Sequence, residues 1–435
     1  MNRDELEIFL KITKDGAFAN LALKEGLSSD RTNAVGRSTA LIYTALENLN
    51  YCDFIIDSYA KGRVHTSIRG ILRLALTELF FMDTPDHAVC STAQELTARI
   101  GKQKLKGFVN GVLRSVIRDR DAGRLPGLPD DFVNRMEILS GYPDFLISEY
   151  ASAYGEKFAE ELLLCRVKGT CVRAVYPNPA ETLEKHFNET GISFKRGALV
   201  EDAFILERIG GSITEDELFR SGALTVQSES AMLACRCLSP EPGMNVLDAC
   251  AAPGGKTAYL FDIMERRGKL TAWDVHPHRV KLIESTLERL GISGVECRAA
   301  DASVPDNGLE GSFDAILCDV PCSGLGGGSK PDARYRRTQE SISELSELQY
   351  GILSACSTYL KRDGALVYST CTLTEAENER VIERFLNEHT GFSLRSLEPY
   401  IPEKLKKRGE GGMLRIFPNT DNAEGFFIAR LGRDE

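Results

Sequence analysis

No apolar run in this sequence approaches the roughly eighteen residues that a membrane-spanning helix needs, so no span is expected. The opening Met1-Asn2-Arg3-Asp4-Glu5-Leu6 is not followed by an apolar stretch, so no secretory signal is read there and a cytoplasmic protein is expected. Twelve cysteines occur without a single Cys-x-x-Cys pair. Cys235-Arg236-Cys237 is too tight for a zinc site and the six histidines are scattered, so no metal is expected. Without an export signal, the cysteines read as reduced cytosolic thiols. A Gly-x-Gly-x-x-Gly dinucleotide fingerprint is missing as well. Gly255-Lys256-Thr257 imitates the end of a Walker phosphate loop, but Cys250 stands where the first glycine of that loop would fall.

What is present is ordinary globular material. At 435 residues, two or three domains are the natural expectation, and 43% apolar with 27% charged residues leaves enough for real cores. A net charge of −10 excludes a surface coated in positive field but leaves room for local basic patches.

Residues 1–130 read as an all-α domain. Ile68, Ile71, Leu72, Ala75, Leu76, Leu79 and Phe80 recur at the steps of one helix face, and Phe108, Val109, Val112, Leu113, Val116 and Ile117 do so again. Pro85 separates two helices, and Gly101 is expected to end another. Between Arg99 and Arg124, eight basic residues face two acidic ones. A solvated helix surface would explain them, and so would contact with an RNA backbone, where each cation neutralises a phosphate.

A breaker-rich linker with Gly123, Pro126, Gly127, Pro129, Gly141 and Pro143 leads into a second region, residues 140–225. There a helical stretch from Phe145 to Cys165 gives way to short alternating runs at 171–176, 192–194 and 204–206, with a helix opened by Asn178-Pro179. A small α+β module is expected. It lacks the aromatic RNP motifs that would support base stacking.

From 226 to 435, strands and helices alternate as in a doubly wound, mostly parallel sheet. The strands read as Val246–Cys250, Leu270–Asp274, Val295–Asp301, Phe313–Asp319 and Ala365–Thr370, and long helices fill the intervals. Asp248, Asp274, Asp301, Asp319 and Cys371 end them, and in an open α/β sheet ligands bind outside those ends. Cys250-Ala251-Ala252-Pro253-Gly254-Gly255-Lys256 joins the first strand to a helix, whose free N–H groups suit a cofactor. Asp274 follows Gly255 by 19 residues, a spacing that suits a carboxylate accepting two ribose hydroxyls. A ribose without pyrophosphate points to S-adenosyl-L-methionine, whose adenine amino group Asp301 could reach.

Two thiols remain. Asp319-Val320-Pro321-Cys322 and Ser369-Thr370-Cys371 end the fourth and fifth strands, which would bring both cysteines over one crevice if the strands pair. Cytosine C5 is a weak nucleophile. A thiolate adding to C6 makes it an enamine able to accept a methyl group, and a second group is then useful to remove the C5 proton. Asp319 is placed to hydrogen-bond the ring N3 and amino edge. The residues alone do not rank the two thiols.

Cys250-Ala-Ala-Pro-Gly-Gly-Lys256, Asp319-Val-Pro-Cys322 and Ser369-Thr-Cys-Thr372 with Glu377-Asn378-Glu379 resemble the motifs of the RNA cytosine-5 methyltransferases of the Sun family. Arg69–Ala75 and Gly107–Arg114 resemble helices of NusB-like RNA-binding domains. The resemblance covers residues 35–430 and points to the bacterial small-subunit (16S) rRNA branch. It implies a Rossmann-like S-adenosylmethionine-dependent domain, an RRM-like middle module, Cys371 as nucleophile, Cys322 assisting release, and a monomer whose partner is small-subunit rRNA. The chain departs from the family at Tyr335-Arg336-Arg337, where Trp-Arg is common; an aromatic and an arginine near the target are thereby expected to persist. The Gly324–Gly328 cluster with Lys330 is expected to form a mobile loop over the RNA. The same chemistry on tRNA or large-subunit rRNA, a small-molecule methyltransferase and a non-enzymatic assembly factor are the rival readings.

Overall fold

A computed structural model of the chain describes residues 1–27, 32–208, 212–327, 332, 334–335 and 337–434. Two compact units emerge from its contacts: Met1–Leu164 together with Ser329–Arg337, and Cys165–Gly328 together with Thr338–Glu435.

The first unit is helical. In the helix Thr66–Phe81, the residues Ile68, Ile71, Leu72, Ala75, Leu76 and Leu79 fall on one stripe and are buried, as three- and four-residue spacing requires. The helix Lys106–Asp121 buries Val109, Val112, Leu113 and Val116. Phe108 does not share that face: it is an exposed aromatic, because it lies a full 100° step before Val109 around the helix. Gly101, at φ +76°, follows the helix Asp86–Arg99 and takes the left-handed conformation that closes a helix cheaply only as glycine. The helices Phe132–Ser140, Asp144–Tyr154 and Glu156–Leu164 complete the unit.

The second unit holds two sheets. Strands β1 (Thr170–Ala174), β2 (Ser193–Arg196), β3 (Ala203–Arg208) and β4 (Leu224–Val226) form an antiparallel sheet in the order β2-β3-β1-β4. The helix Ala180–Thr190 covers it through Leu183 and Phe187, packed with Val172, Phe204 and Leu224. Arg173 of β1 is fully buried; it pairs with Asp262 at 2.7 Å, donates to Gln227 and lies over the Tyr259 ring. That ion pair fixes the small sheet to the helix Gly255–Ile263 of the larger layer.

The larger sheet comprises β5 (Asn245–Asp248), β6 (Lys269–Asp274), β7 (Val295–Ala299), β8 (Phe313–Asp319), β9 (Leu360–Thr370), β10 (Phe392–Leu394), β11 (Met413–Ile416) and β12 (Phe426–Arg433). Its order is β10-β12-β9-β8-β5-β6-β7, with β11 also on β12. Strands β5 to β9 run parallel, and the β10, β11 and β12 pairings are antiparallel. Both faces are covered: Leu260, Phe261 and Ile283 pack in one core, and Ile352, Leu353, Ile382 and Phe385 in the other. Burial on two sides explains the near-continuous apolar runs of β5 and β8. The chain leaves β5 toward β6 and β7, then returns to place β8 and β9 on the other side. The switch point therefore lies between the carboxyl ends of β5 and β8, where such folds bind ligands.

Among the described residues no helix is long and apolar enough to cross a membrane, and no three His, Cys, Asp or Glu side chains group to hold a metal ion.

Candidate active site

A cleft opens at that switch point, lined by Gln227, Ala231, Asp248, Cys250, Ala251, Ala252, Pro253, Gly255, Lys256 and Asp319. Its floor is the turn between β5 and the helix Gly255–Ile263. Gly254 caps that helix at φ +102°, and a Cβ there would stand 3.1 Å from the Ile283 Cα, so only glycine lets the turn close against its neighbour helix. Gln227 and Ala231 were not legible as site residues in the motifs. The local signal is Ser228, whose hydroxyl accepts from the Ala231 N–H and starts the helix Glu229–Leu238.

Two expected cofactor residues stand apart from the cleft lining. Asp274 is buried at the end of β6, pairs with Arg279 at 3.2 Å and accepts from the His276 N–H. Arg279 also donates to the Ala252 carbonyl at 3.3 Å, tying the second strand end to the turn. Asp301 lies two residues beyond β7 and is exposed. It accepts from the Ser303 hydroxyl and N–H, which hold its carboxyl below the usual carboxylate range.

Charge inside the cleft is arranged in pairs. Lys256 Nζ meets Asp319 Oδ2 at 2.7 Å, and Asp319 Oδ1 accepts from the Ser369 hydroxyl at 2.8 Å. Burial works to lower the Lys256 ammonium, but the Asp319 carboxylate more than offsets it and leaves the lysine above its ordinary value. Asp248 is fully buried; burial pushes its carboxyl up to about 7, partly opposed by the Thr257 hydroxyl donating at 2.7 Å. Its other oxygen, Oδ1, accepts no hydrogen bond of good geometry among the described residues.

Strands β8 and β9 pair in parallel with Asp319 opposite Ser369, so the loops that follow rise side by side. They bring Cys322 Sγ and Cys371 Sγ to 3.1 Å, both half-buried and neither in a disulfide. The Cys322 thiol is pushed up by its contact with Cys371, by burial and by the Glu377 charge. Cys371 in turn is among the groups whose charge bears on Lys256.

The cysteine loops are fastened from behind. Glu377, fully buried, accepts from the Ser323 N–H at 2.8 Å, the Ser323 hydroxyl at 2.6 Å, the Thr374 hydroxyl at 2.7 Å and Gln349 Nε2 at 2.9 Å. Gly326 donates its N–H to the Cys371 carbonyl at 3.0 Å, and a Cβ on it would stand 2.2 Å from the Gly425 oxygen. At Gly326, then, glycine serves close packing rather than the expected mobility. Gly328, Lys330 and Arg336 lie outside the described residues. Tyr335 belongs to the helical unit, where its ring meets Gly141. Arg334, buried there too, donates to the Ser140 carbonyl and lies over Tyr142.

In the helical unit, half of the basic stretch is neutralised in place. Arg99 pairs with Glu95, Arg118 and Arg124 with Asp119, and Arg120 with Asp86 and Asp121. Lys102, Lys104, Lys106 and Arg114 form no ion pair among the described residues, and Phe108 is exposed beside them.

A mostly parallel sheet with a cleft at its switch point and paired thiols at its rim, in a chain that also carries a helical unit, is the arrangement of a two-part Rossmann-like methyltransferase. A family model described as "16S rRNA methyltransferase RsmB/F" matches residues 235–432, and one described as "NusB family" matches residues 6–118. A Bacillus subtilis protein named "Probable ribosomal RNA small subunit methyltransferase B" is 35% identical over 98% of this chain and 97% of its own. The chain belongs to the ribosomal RNA small subunit methyltransferase B family. Among solved structures, "Crystal Structure of PH0851" superposes with a TM-score of 0.80 at 25% identity, covering 99% of this chain and 97% of that one. A methyltransferase homolog from Pyrococcus horikoshii gives 0.59 at 30% identity, covering 70% and 100%.

Proposed function

We propose that this protein transfers a methyl group from S-adenosyl-L-methionine to C5 of a cytosine in small-subunit (16S) rRNA. The observation that carries the reading is the pair of reduced thiols 3.1 Å apart at the mouths of β8 and β9, beside a cleft that holds the Lys256–Asp319 ion pair. The cleft residues fit the cofactor: Asp248 Oδ1 is a buried acceptor without a good hydrogen bond, suited to a cationic ligand bearing N–H donors. Asp274, buried at the end of the neighbouring strand, would take the ribose hydroxyls, and Asp301 is assigned to the adenine. When bound, the cofactor supplies the methyl group as an electrophile to the activated C5.

The chain supplies the activation. Cys371 as thiolate adds to C6, and electron density moves to C5. After methyl transfer, Cys322 in its thiolate form takes the C5 proton, the C5–C6 double bond re-forms and the Cys371–C6 bond breaks, returning the Cys371 thiolate. Electrostatics supports this ranking of the thiols: the cation of Lys256 bears on Cys371, whereas the buried anion of Glu377 bears on Cys322. The Lys256 cation thus favours a thiolate at Cys371. Asp319, with a free lone pair on each oxygen, can accept from the cytosine amino group while keeping Lys256 and Ser369.

Two variants test the chemistry. Cys322→Ala is expected to accumulate a denaturant-resistant protein–RNA adduct, since attack proceeds without release, and Cys371→Ala to abolish both adduct and product. An adduct formed by Cys371→Ala would reverse the roles. Bisulfite mapping of ribosomal and transfer RNA, with and without the gene, tests the target; unchanged small-subunit methylation would remove it and leave the reaction class standing.

A further inference from the structure

Glu377 is a poor choice for a purely structural interior. A buried carboxylate loses its hydration, and here all four of its hydrogen bonds come from uncharged donors; no ion pair to it forms among the described residues. Its partners explain what holds it there. Ser323 follows Cys322 directly, and both its N–H and its hydroxyl point to the carboxylate. Thr374 lies three residues past Cys371 on the other thiol-bearing loop. Gln349, from the helix Gln339–Thr358, braces the carboxylate and also donates to the Pro321 carbonyl at 2.9 Å. One side chain thus bolts the loop after β8 to the loop after β9, through contacts one residue from one sulfur and three from the other.

We propose that Glu377 is a positioning residue that clamps the Cys322 loop onto the Cys371 loop and so holds the two sulfurs in contact. The proposal rests on the thiol roles given above and extends them. Attack on C6 needs Cys371 alone, so a loosened clamp leaves addition possible, whereas release needs Cys322 at its present separation from the adduct sulfur. The charge acts in the same sense: the Glu377 carboxylate behind its loop raises the Cys322 thiol. A glutamine has the same shape and would keep an acceptor for Ser323 and Gln349 while removing the charge.

The test uses the full chain with S-adenosylmethionine and in vitro transcribed small-subunit rRNA, and follows 5-methylcytosine, the denaturant-resistant adduct and the pH dependence of thiol alkylation. Glu377→Ala is expected to lower turnover by about 100-fold while the adduct-to-product ratio rises, as losing several buried hydrogen bonds at a reacting pair implies. Glu377→Gln should recover part of that loss, and the midpoint for alkylation of Cys322 should move down by about one pH unit, because the opposing anion is gone. Cofactor affinity should stay within about twofold, since Glu377 is not in the cleft lining. Should Glu377→Ala fail to fold, Thr374→Val removes one of the four bonds and should still raise the adduct-to-product ratio. Wild-type turnover in Glu377→Ala, or lost turnover with an unchanged ratio and an unmoved alkylation midpoint, would overturn the proposal. Cys322→Ala is run alongside: if it forms no adduct, the thiol roles fail, and the alkylation midpoints of Cys322 in the Glu377 variants still decide whether the clamp exists.

Discussion

Asp248 and Asp319 show how much a carboxylate's environment decides. Both end parallel strands of one sheet, yet Asp319 has a lysine and a hydroxyl, while Asp248 has one threonine hydroxyl and no ion pair among the described residues. Burial lifts the Asp248 carboxyl to about 7, against about 3.9 for a free aspartate. The folded protein therefore keeps a proton that the unfolded chain releases between those values. Stability from this group is full below about pH 4 and is lost as pH rises through about 7. Thermal unfolding without cofactor should show the melting temperature of the parent protein falling between pH 5 and 8 relative to Asp248→Asn, in which the ionisation is gone. Parallel curves for the two proteins would show that Asp248 is not protonated when folded. The acid residues themselves could be read from the strand ends. Their differing states could not, because Thr257, Ser369 and Arg279 reach them only after the sheet closes and the helices pack.

At the level of elements, the two thiol loops depend on contacts that no single motif contains. β8 and β9 give the register, and the Cys371 carbonyl accepts from Gly326, whose own carbonyl accepts from the Gly425 N–H. The three atoms nearest a Cβ built on that glycine are all backbone, from Gly425 and Cys371, so a methyl group meets no flexible side chain there. Gly326→Ala should cost about 1–3 kcal/mol, the usual range for overpacking, and should lower methylation more than the lost stability explains. Equal chemical-denaturation midpoints for the variant and the parent would sink that expectation. The glycine run could be seen in the sequence, but a mobile loop and a close-packed one share the same composition. The helix Lys106–Asp121 repeats the lesson in milder form: its apolar face was legible, and only the 100° step separated exposed Phe108 from buried Val109.

For the whole molecule, the net charge of −10 hides a local excess that folding makes smaller than the composition suggests. Four of the eight basic residues between Arg99 and Arg124 are paired with acids, which leaves Lys102, Lys104, Lys106 and Arg114 as the candidate phosphate contacts. Replacing those four with glutamine should weaken RNA binding and flatten its salt dependence by roughly 0.7–0.9 in slope for each contact removed. Replacing Arg120 should leave that slope unchanged; a slope that responds only to Arg120 would refute the assignment. The sequence by itself determined the strand–helix alternation, the helical front unit, the glycine turn after β5 and the two cysteines, because apolar period and short-range turn chemistry are local properties. Only the tertiary structure decided that Lys256 meets Asp319, that Arg173 bolts a small sheet to the larger one, and that Tyr335 packs among the helices. It alone set two sulfurs 49 positions apart at 3.1 Å and placed a buried glutamate behind them. Those are pairings between distant segments, and a pairing exists only once parallel strands in register have brought the segments together.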